Sequence, residues 1–158
     1  LTSIDLKQLA SEMIIELLSS ADKKNISLSL ISPEKIPKIL GNKTALLILL
    51  RNLIDNALRY SPDGSEVSIE IIHQEQTLTL SVIDNGPGIS EQLRQRVFER
   101  FFRVLGTQTE GSGLGLNIVK QIVDLHKGTI ELLTPQKHPG LEIKITLWHN
   151  LNSAQLND

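Results

Sequence analysis

The sequence predicts an α/β two-layer sandwich, in which a mixed and mostly antiparallel sheet carries helices on one face. Two observations support this prediction. Several segments place apolar residues at helical spacing, and several shorter segments alternate apolar and polar residues as half-buried strands do. Most of the predicted strands follow one another as hairpins. Helices interspersed with hairpin-joined strands indicate a sheet that is covered on one side.

The first half of the chain predicts two helices with two short strands between them. Apolar residues recur at helical spacing over residues 5–22, with Ser3 or Asp5 as the candidate N-cap. The segment NISLSLI alternates like a half-buried strand, and KIPKIL is a short extended piece whose proline favours a sheet edge. A long helix is predicted over residues 42–60, and the turn sequence SPDG ends it.

The second half predicts two pairs of strands and two helices. EVSIEII and TLTLSVID alternate and are joined by the polar HQEQ, which predicts a hairpin. A short helix is predicted over residues 90–98, and a longer one begins at the glycines of EGSGLGLNIV. GTIELL and LEIKITLW form a closing pair of strands around PQKHPG.

Composition excludes several classes of function. The 158 residues have the length of one domain. Aromatic residues make up 3% and the formal net charge is -2, so we expect no nucleic-acid partner. Cysteine is absent, which excludes disulfides and thiolate metal sites. No run of about 18 apolar residues occurs, so no membrane contact is expected of this chain. Because it begins at Leu1, we expect it to be a piece of a longer protein.

The predicted helix over residues 42–60 carries a polar stripe. Within its segment LLILLRNLIDNALRY, apolar residues occupy nearly the whole circumference, and a polar stripe falls within about a third of it at about 100° per residue. The stripe consists of Asn52, Asp55, Asn56 and Arg59. The stripe either lines a cleft or is a solvated face. Asparagine oxygens suit a Mg²⁺ ion that takes other ligands from phosphates, and Arg59 could face the same phosphates.

A second candidate motif is VIDNGPGI, in which Asp84 ends a strand and Gly86 and Gly88 follow. A carboxylate at a strand end can accept a hydrogen bond from the exocyclic amine of adenine. The two glycines would let a flat ring lie against the backbone. The alternative is an ordinary turn after a strand.

A third motif places Gly111, Gly113 and Gly115 where an apolar helix begins. A helix N-terminus presents free backbone N–H groups and a partial positive charge, so a phosphate is its natural ligand. Hinges and helix caps use such glycines as well, so this motif alone leaves both interpretations open.

The order of these motifs resembles the ATP-binding domain of two-component sensor histidine kinases. Their superfamily also contains DNA gyrase, the mismatch-repair ATPases and the ninety-kilodalton heat-shock chaperone. RNLIDNALRYS resembles the N box of the family, DNGPG its G1 box, VFERFFR its F box and GSGLGL its G2 box. The resemblance covers nearly the whole chain and implies the Bergerat ATP-binding fold, with ATP and Mg²⁺ as cofactors.

The resemblance also implies roles for individual residues. Asn56 is the expected Mg²⁺ ligand, and Asp84 is expected to bind the adenine amine. Residues 99–110 would form a mobile lid over the nucleotide. The residues expected to act in catalysis are Asn52, Arg59 and Arg103. Those expected to bind the nucleotide are Asn52, Asn56, Arg59, Tyr60, Asp84, Gly86, Gly88, Ile89, Gly111, Ser112, Gly113, Leu114, Gly115 and Leu116.

By the same resemblance the chain has three parts. Residues 1–24 would be a connector helix from a dimerisation domain absent from this chain, packed on the domain. Residues 25–149 would be the histidine-kinase ATP-binding domain, and residues 150–158 a frayed tail. Family acceptors lie in a His-Glu or His-Asp context, which no histidine here has. The four histidines are His73, His126, His138 and His149.

The implied reaction is transfer of the γ-phosphoryl group of ATP to a histidine of that dimerisation domain, for relay to an aspartate of a response regulator. The domain would lie on the cytoplasmic side of a parent protein in the bacterial inner membrane. Two alternative functions make different predictions about the sequence. A hydrolysing ATPase of the superfamily should carry a carboxylate one turn before Asn52, where this chain has Ile48. A nucleotide-sensing module without catalysis should have lost a box, and all four are present.

Overall fold

The computed structural model describes residues 1–99 and 115–149, which contain three α-helices and seven strands. Two 3-10 turns, Glu91–Leu93 and Arg96–Phe98, follow the strand that ends at Ile83. In chain order the elements are β1 (Thr2–Ile4), α1 (Leu6–Lys23), β2 (Ser27–Ile31), β3 (Ile39–Gly41), α2 (Lys43–Tyr60), β4 (Glu66–Gln74), β5 (Thr77–Ile83), α3 (Gly115–Leu125), β6 (Thr129–Leu133) and β7 (Glu142–Trp148).

Five strands form one sheet in the order β2-β4-β5-β7-β6, and β1 pairs with β3 in a small separate sheet. Strands β2 and β4 are parallel, and the other neighbours in the large sheet are antiparallel. Along β4 the residues Val67, Ile69 and Ile71 are buried, whereas those between them are more exposed. One face of the sheet therefore packs on the helices, which confirms the predicted two-layer sandwich with a mixed, mostly antiparallel sheet.

Helices α1 and α2 lie side by side and run in the same direction. Glu16 and Arg51 form an ion pair near their middles, and Lys24, just beyond α1, contacts the C-terminal end of α2. The buried residues of α1 belong to the same hydrophobic core as those of α2. These are Leu6, Leu9, Ala10, Met13, Leu17 and Ala21. The role of residues 1–24 as a connector stays a prediction. Among the described residues, no helix has the length and apolar character needed to cross a bilayer.

Both long helices begin at side chains that cap them. The Asp5 carboxylate accepts a hydrogen bond from the Gln8 N–H at 3.2 Å, so Asp5 rather than Ser3 is the N-cap of α1. The Asn42 side chain accepts one from the Ala45 N–H at 3.0 Å. Such a cap satisfies one of the N–H groups that a helix start leaves without a partner. The predicted bounds of α2 are confirmed to within one residue.

Two local predictions were wrong, and one element was not predicted. Residues 90–98 form two 3-10 turns instead of a helix, because the Arg94 guanidinium bonds the Leu132 carbonyl and the Thr134 hydroxyl and so ties this segment to β6 and the turn after it. Strand β4 continues to Gln74, so the hairpin turn has two residues rather than four. Strand β1 and the small sheet were not predicted, since three residues are too few to show periodicity.

His126 joins the end of α3 to the start of α2. Its side chain is buried, its Nδ1 lies 2.8 Å from the Ile122 carbonyl oxygen, and its Nε2 accepts a hydrogen bond from the Asn42 N–H at 3.1 Å. Because Nε2 is the acceptor, Nδ1 carries the proton and donates to Ile122. The imidazole thus connects two helices through both of its nitrogens.

Replacement of His126 by leucine is expected to lower the free energy of unfolding by about 1–3 kcal/mol. A leucine has a similar volume but leaves the Asn42 N–H and the Ile122 carbonyl without this partner. Urea unfolding of His126→Leu measures the loss. The exposed His73→Leu is the control and should stay within about 0.5 kcal/mol of the parent. Equal stability of the two variants would contradict the role of His126.

Candidate functional site

The polar stripe of α2 lies on the partly exposed side of the helix. Asn52, Asp55 and Asn56 are half-buried, and Arg59 is exposed. Arg59 Nη2 lies 3.3 Å from Asp55 Oδ2, which makes an ion pair one turn apart along the stripe. The opposite side of the helix is buried in the core through Leu53, Ile54, Ala57 and Leu58. The stripe is therefore accessible to a ligand, while the rest of the helix is held in place.

At one end of the stripe, α2 meets the start of α3. The Asn52 Nδ2 donates to the Ile48 carbonyl at 2.8 Å. Its Oδ1 faces Gly115, the first residue of α3, where an added Cβ would lie only 3.2 Å away. Leu116 follows and packs into the core. The structure thus brings together Asn52 and the end of the predicted phosphate-binding motif.

Asn56 makes no side-chain hydrogen bond to another residue within the two described ranges. Over the same ranges, no three His, Asp or Glu side chains come together as a metal site. A divalent cation beside the stripe would therefore combine the Asn56 amide oxygen with oxygens of a bound ligand and water. Mg²⁺ prefers hard oxygen ligands and keeps several waters, so this donor fits it.

Asp84 lies at the end of β5 and is buried, with 6% of its surface exposed. Its Oδ1 accepts two backbone hydrogen bonds, from the Gly86 N–H at 2.8 Å and from the Leu141 N–H at 3.1 Å. Its Oδ2 bonds to none of the residues that the structure describes. Burial raises the pKa of Asp84 above its ordinary value of 3.8, and the two backbone bonds and the charge of His138 act in the opposite direction.

The loop after Asp84 is packed so tightly that it requires glycine. A Cβ on Gly86 would lie 2.6 Å from the Tyr60 carbonyl oxygen. Gly140, on the neighbouring turn, has φ +143°, and a Cβ there would lie 2.1 Å from the Asp84 carbonyl oxygen. The sequence suggested that the glycines make room for a flat ring. On the side where a Cβ would project, the space beside Gly86 is filled by protein backbone, and the expected contact of the glycines with a flat ring stays a prediction.

A short network joins this loop to the end of α2. The Asn85 N–H donates to the buried Ser61 hydroxyl at 3.4 Å, and the Asn85 Nδ2 donates to the Glu66 carbonyl at 2.6 Å. Ser61 follows directly on Tyr60, the last residue of α2. The loop that carries Asp84 and the helix that carries the stripe are therefore held in one arrangement.

The other predicted site residues are divided between the described and undescribed parts of the chain. Tyr60 is half-buried at the end of α2, Ile89 is partly buried against the core, and Gly88 has φ +75°. The remaining predicted residues lie outside the described residues, as does the predicted lid apart from Glu99. They are Arg103, Gly111, Ser112, Gly113 and Leu114.

Sequence reasoning missed the contribution of the turn between β6 and β7. Leu141 donates to the Asp84 carboxylate, Gly140 lets the turn approach it, and the charge of His138 acts to lower the pKa of Asp84. The PG pair in PQKHPG is a turn signal that could have marked Gly140. Nothing in the sequence pairs that turn with Asp84, because the contact spans 57 positions.

Comparisons with known proteins place the chain among ATPases of one family. The model of the family described as "Histidine kinase-, DNA gyrase B-, and HSP90-like ATPase" matches residues 41–151. The chain is 41% identical over 145 residues to the sensor protein kinase PmrB of Pseudomonas aeruginosa. The aligned residues make up 91% of this chain and 30% of PmrB. The chain is 39% identical over 150 residues to the sensor-like histidine kinase SenX3 of Mycobacterium bovis, covering 93% and 36%. It thus spans about a third of the length of these relatives.

Solved structures give the same result. The mycobacterial sensor histidine kinase MprB superposes with a TM-score of 0.81 at 30% identity, covering 93% of this chain and 96% of that one. The catalytic domain of the histidine kinase ThkA superposes with a TM-score of 0.84 at 26% identity, covering 94% and 95%. These likenesses extend over more than nine-tenths of the chain.

Replacement of Asp84 by asparagine is expected to raise the free energy of unfolding at neutral pH. An asparagine Oδ1 can still accept from Gly86 and Leu141, and the cost of burying a charge disappears. Because the folded pKa is raised, the folded parent binds its proton more tightly than the unfolded chain does. The parent therefore loses stability as the pH rises through the folded pKa.

Urea unfolding of parent and Asp84→Asn between pH 4 and pH 8 tests this sign. The advantage of the variant should be small near pH 4 and should grow until Asp84 is fully ionised in the folded protein. The exposed Asp63→Asn is the matched control and should show no such growth. An advantage that shrinks as the pH rises would contradict the effect of burial on Asp84.

Proposed function

The chain belongs to the family of histidine kinase-, DNA gyrase B- and HSP90-like ATPases, and from this premise we propose how it uses ATP. It is a catalytic domain of the histidine kinase type, of the kind found in sensor kinases. We propose that it transfers the γ-phosphoryl group of bound ATP to a histidine on a dimerisation domain of the full-length protein. A response regulator would then take the phosphoryl group onto an aspartate.

One observation carries the proposal: the stripe of α2 has different chemistry at its two ends. Tyr60 lies against the loop of Asp84 and Gly86, and Asn52 lies against the start of α3. Tyr60 lies eight positions after Asn52, a distance of about 12 Å along the helix at about 1.5 Å per residue. A nucleotide triphosphate can cover this length, with its base at one end and its phosphates at the other.

The base would bind at Asp84. One carboxylate oxygen is held by two backbone N–H groups, which fix the direction of the other. A buried carboxylate oxygen without a partner is costly, and a donor that reaches it is bound with a correspondingly large gain. The exocyclic amine of adenine is such a donor. Gly86, Gly88, Ile89 and Leu116 are proposed to lie around the ring.

The phosphates would bind between the stripe and the start of α3. Asn56 is proposed to hold Mg²⁺, which would neutralise phosphate charge when bound. Asn52 and Arg59 would contact the phosphate oxygens directly, and Gly115 would present the N-terminus of α3. Arg103 and residues 111–114 are proposed to complete this end of the site. In phosphoryl transfer such positioning and charge neutralisation provide most of the catalysis.

Ile48 favours transfer over hydrolysis. It lies one turn before Asn52 on α2 and is 42% exposed, so its side chain is not needed to fill the core. An isoleucine can neither accept a proton nor orient a water molecule, whereas a positioned general base contributes about 10² to 10⁴ in rate. The site therefore holds ATP without a group at this position that would activate water, and the phosphoryl group is kept for the histidine.

The proposal is tested by mixing the chain with γ-labelled ATP, Mg²⁺ and a separately prepared acceptor domain. Acid-labile and base-stable label on the acceptor supports a histidine kinase. Release of free phosphate at about 1 per second or faster without the acceptor would assign the chain to the hydrolysing ATPases. Tight binding with neither product would make it a nucleotide-sensing module.

In a cell we propose that the domain works on the cytoplasmic side of an inner-membrane sensor protein.

Replacement of Asn56 by alanine is expected to weaken Mg-ATP binding about tenfold or more and to change binding of metal-free ATP much less. The substitution removes a metal ligand and leaves the base pocket intact. Calorimetric titrations with and without Mg²⁺ measure the two affinities. Gln76→Ala, which removes an exposed amide in the turn between β4 and β5, is the control. Equal losses with and without the metal would exclude Asn56 as its ligand.

A further inference from the structure

We propose that Lys24 is a positioning residue for nucleotide binding, which acts through main-chain carbonyls at the end of α2 and not through contact with the nucleotide. It acts by holding the C-terminal end of α2, against which the Asp84 loop is packed. The inference rests on the proposed function, because its main readout is the affinity for ATP. No motif in the sequence marks this lysine.

The ammonium group of Lys24 is surrounded by main-chain carbonyls. Its Nζ lies 2.8 Å from the Leu58 oxygen, 3.2 Å from the Arg59 oxygen and 2.7 Å from the Ser61 oxygen. An ammonium has three donors, so all three are used. A helix leaves its last carbonyls without partners and carries a partial negative charge at that end. Lys24 satisfies both requirements of α2 at once.

The main chain of Lys24 ties the same region together. Its N–H donates to the Ala21 carbonyl at 3.1 Å and so ends α1, and its carbonyl accepts from the Gly64 N–H at 2.9 Å. Gly64 belongs to the turn that follows α2. One residue therefore connects the end of α1, the end of α2 and the turn beyond it.

The carbonyls that Lys24 holds are next to the groups that position Asp84. The Tyr60 carbonyl lies between two of them in sequence and is in tight contact with Gly86, where an added Cβ would be 2.6 Å away. The Ser61 hydroxyl accepts the Asn85 N–H. Arg59 carries the side chain proposed to face phosphate. A shift of this helix end would therefore move the base pocket and the stripe relative to each other.

The test compares Lys24→Met with two controls in the 158-residue chain. Methionine keeps an unbranched apolar stem of similar length and removes the ammonium. Lys23→Met removes a charge from an exposed neighbour. Leu78→Val is a control for a general loss of stability. Leu78 is fully buried and lies at the end of β5 that is far from Asp84. Calorimetry gives the dissociation constant for ATP at a temperature where every variant is folded, and amide NMR spectra report on Asn85 and Gly86 without nucleotide.

We expect Lys24→Met to weaken ATP binding about fivefold or more and to shift the Asn85 and Gly86 amide resonances. Both controls should bind like the parent, and their Asn85 and Gly86 signals should not move. ATP affinity of Lys24→Met within twofold of the parent, or an equal loss in Leu78→Val, would overturn the proposal, since the lysine would then contribute only stability. If Lys24→Met does not fold, Lys24→Gln, which keeps two donors without the charge, is held to the same criteria.

Failure of the proposed function gives a different pattern. The parent itself would then not bind ATP, and no variant could be compared by affinity. The amide signals of Asn85 and Gly86 would still decide whether Lys24 positions the loop. Unchanged signals in Lys24→Met would overturn the positioning role independently of any nucleotide.

Discussion

The arrangement of the candidate site depends on how the Asp84 carboxylate is held. One oxygen accepts two backbone N–H groups, and the carboxylate is almost completely buried. Burial of a charge in this way costs stability, and burial accordingly raises the pKa of Asp84. The backbone contacts at Gly86 and Gly140 leave the loop no room to relax. The protein thus maintains a fixed acceptor that stability alone would not favour, which is typical of a binding site.

The same principle applies to α2, whose polar stripe must keep its place beside the Asp84 loop. Its two ends are held by residues from elsewhere in the chain. His126 of the α3 end bonds the backbone of Asn42 at the helix start, and Lys24 binds three carbonyls at the helix end. The hydrophobic core fixes the buried side of α2, and these polar contacts fix its ends. The stripe can therefore remain accessible without becoming loosely placed.

Much of the fold could be predicted, because local signals and tertiary structure agree. Asn42 and the SPDG turn bound α2 correctly, and alternation identified four strands of the large sheet in two hairpins. The 3-10 turns after Ile89 were missed because Arg94 bonds to β6, and no local pattern reports that contact. At the site, residue types indicated Asp84 and the asparagines. Lys24 and His126 could not be recognised, since each bonds to backbone groups distant in sequence. The PG pair indicated a turn at Gly140 but not its contact with Asp84.

The most direct test of the account is whether the protein recognises the base through a hydrogen-bond donor on C6 of the purine. ATP carries an amine there and inosine triphosphate carries an oxygen, while the sugar and phosphates are the same. The parent should bind ATP about 10- to 100-fold more tightly than inosine triphosphate. In the complex with inosine triphosphate, the buried Asp84 carboxylate would face the C6 oxygen, which cannot donate a hydrogen bond. Asp84→Asn, which offers an amide NH₂, should reverse the preference. Equal affinity of the parent for both nucleotides would contradict the assignment of Asp84 as the group that binds adenine.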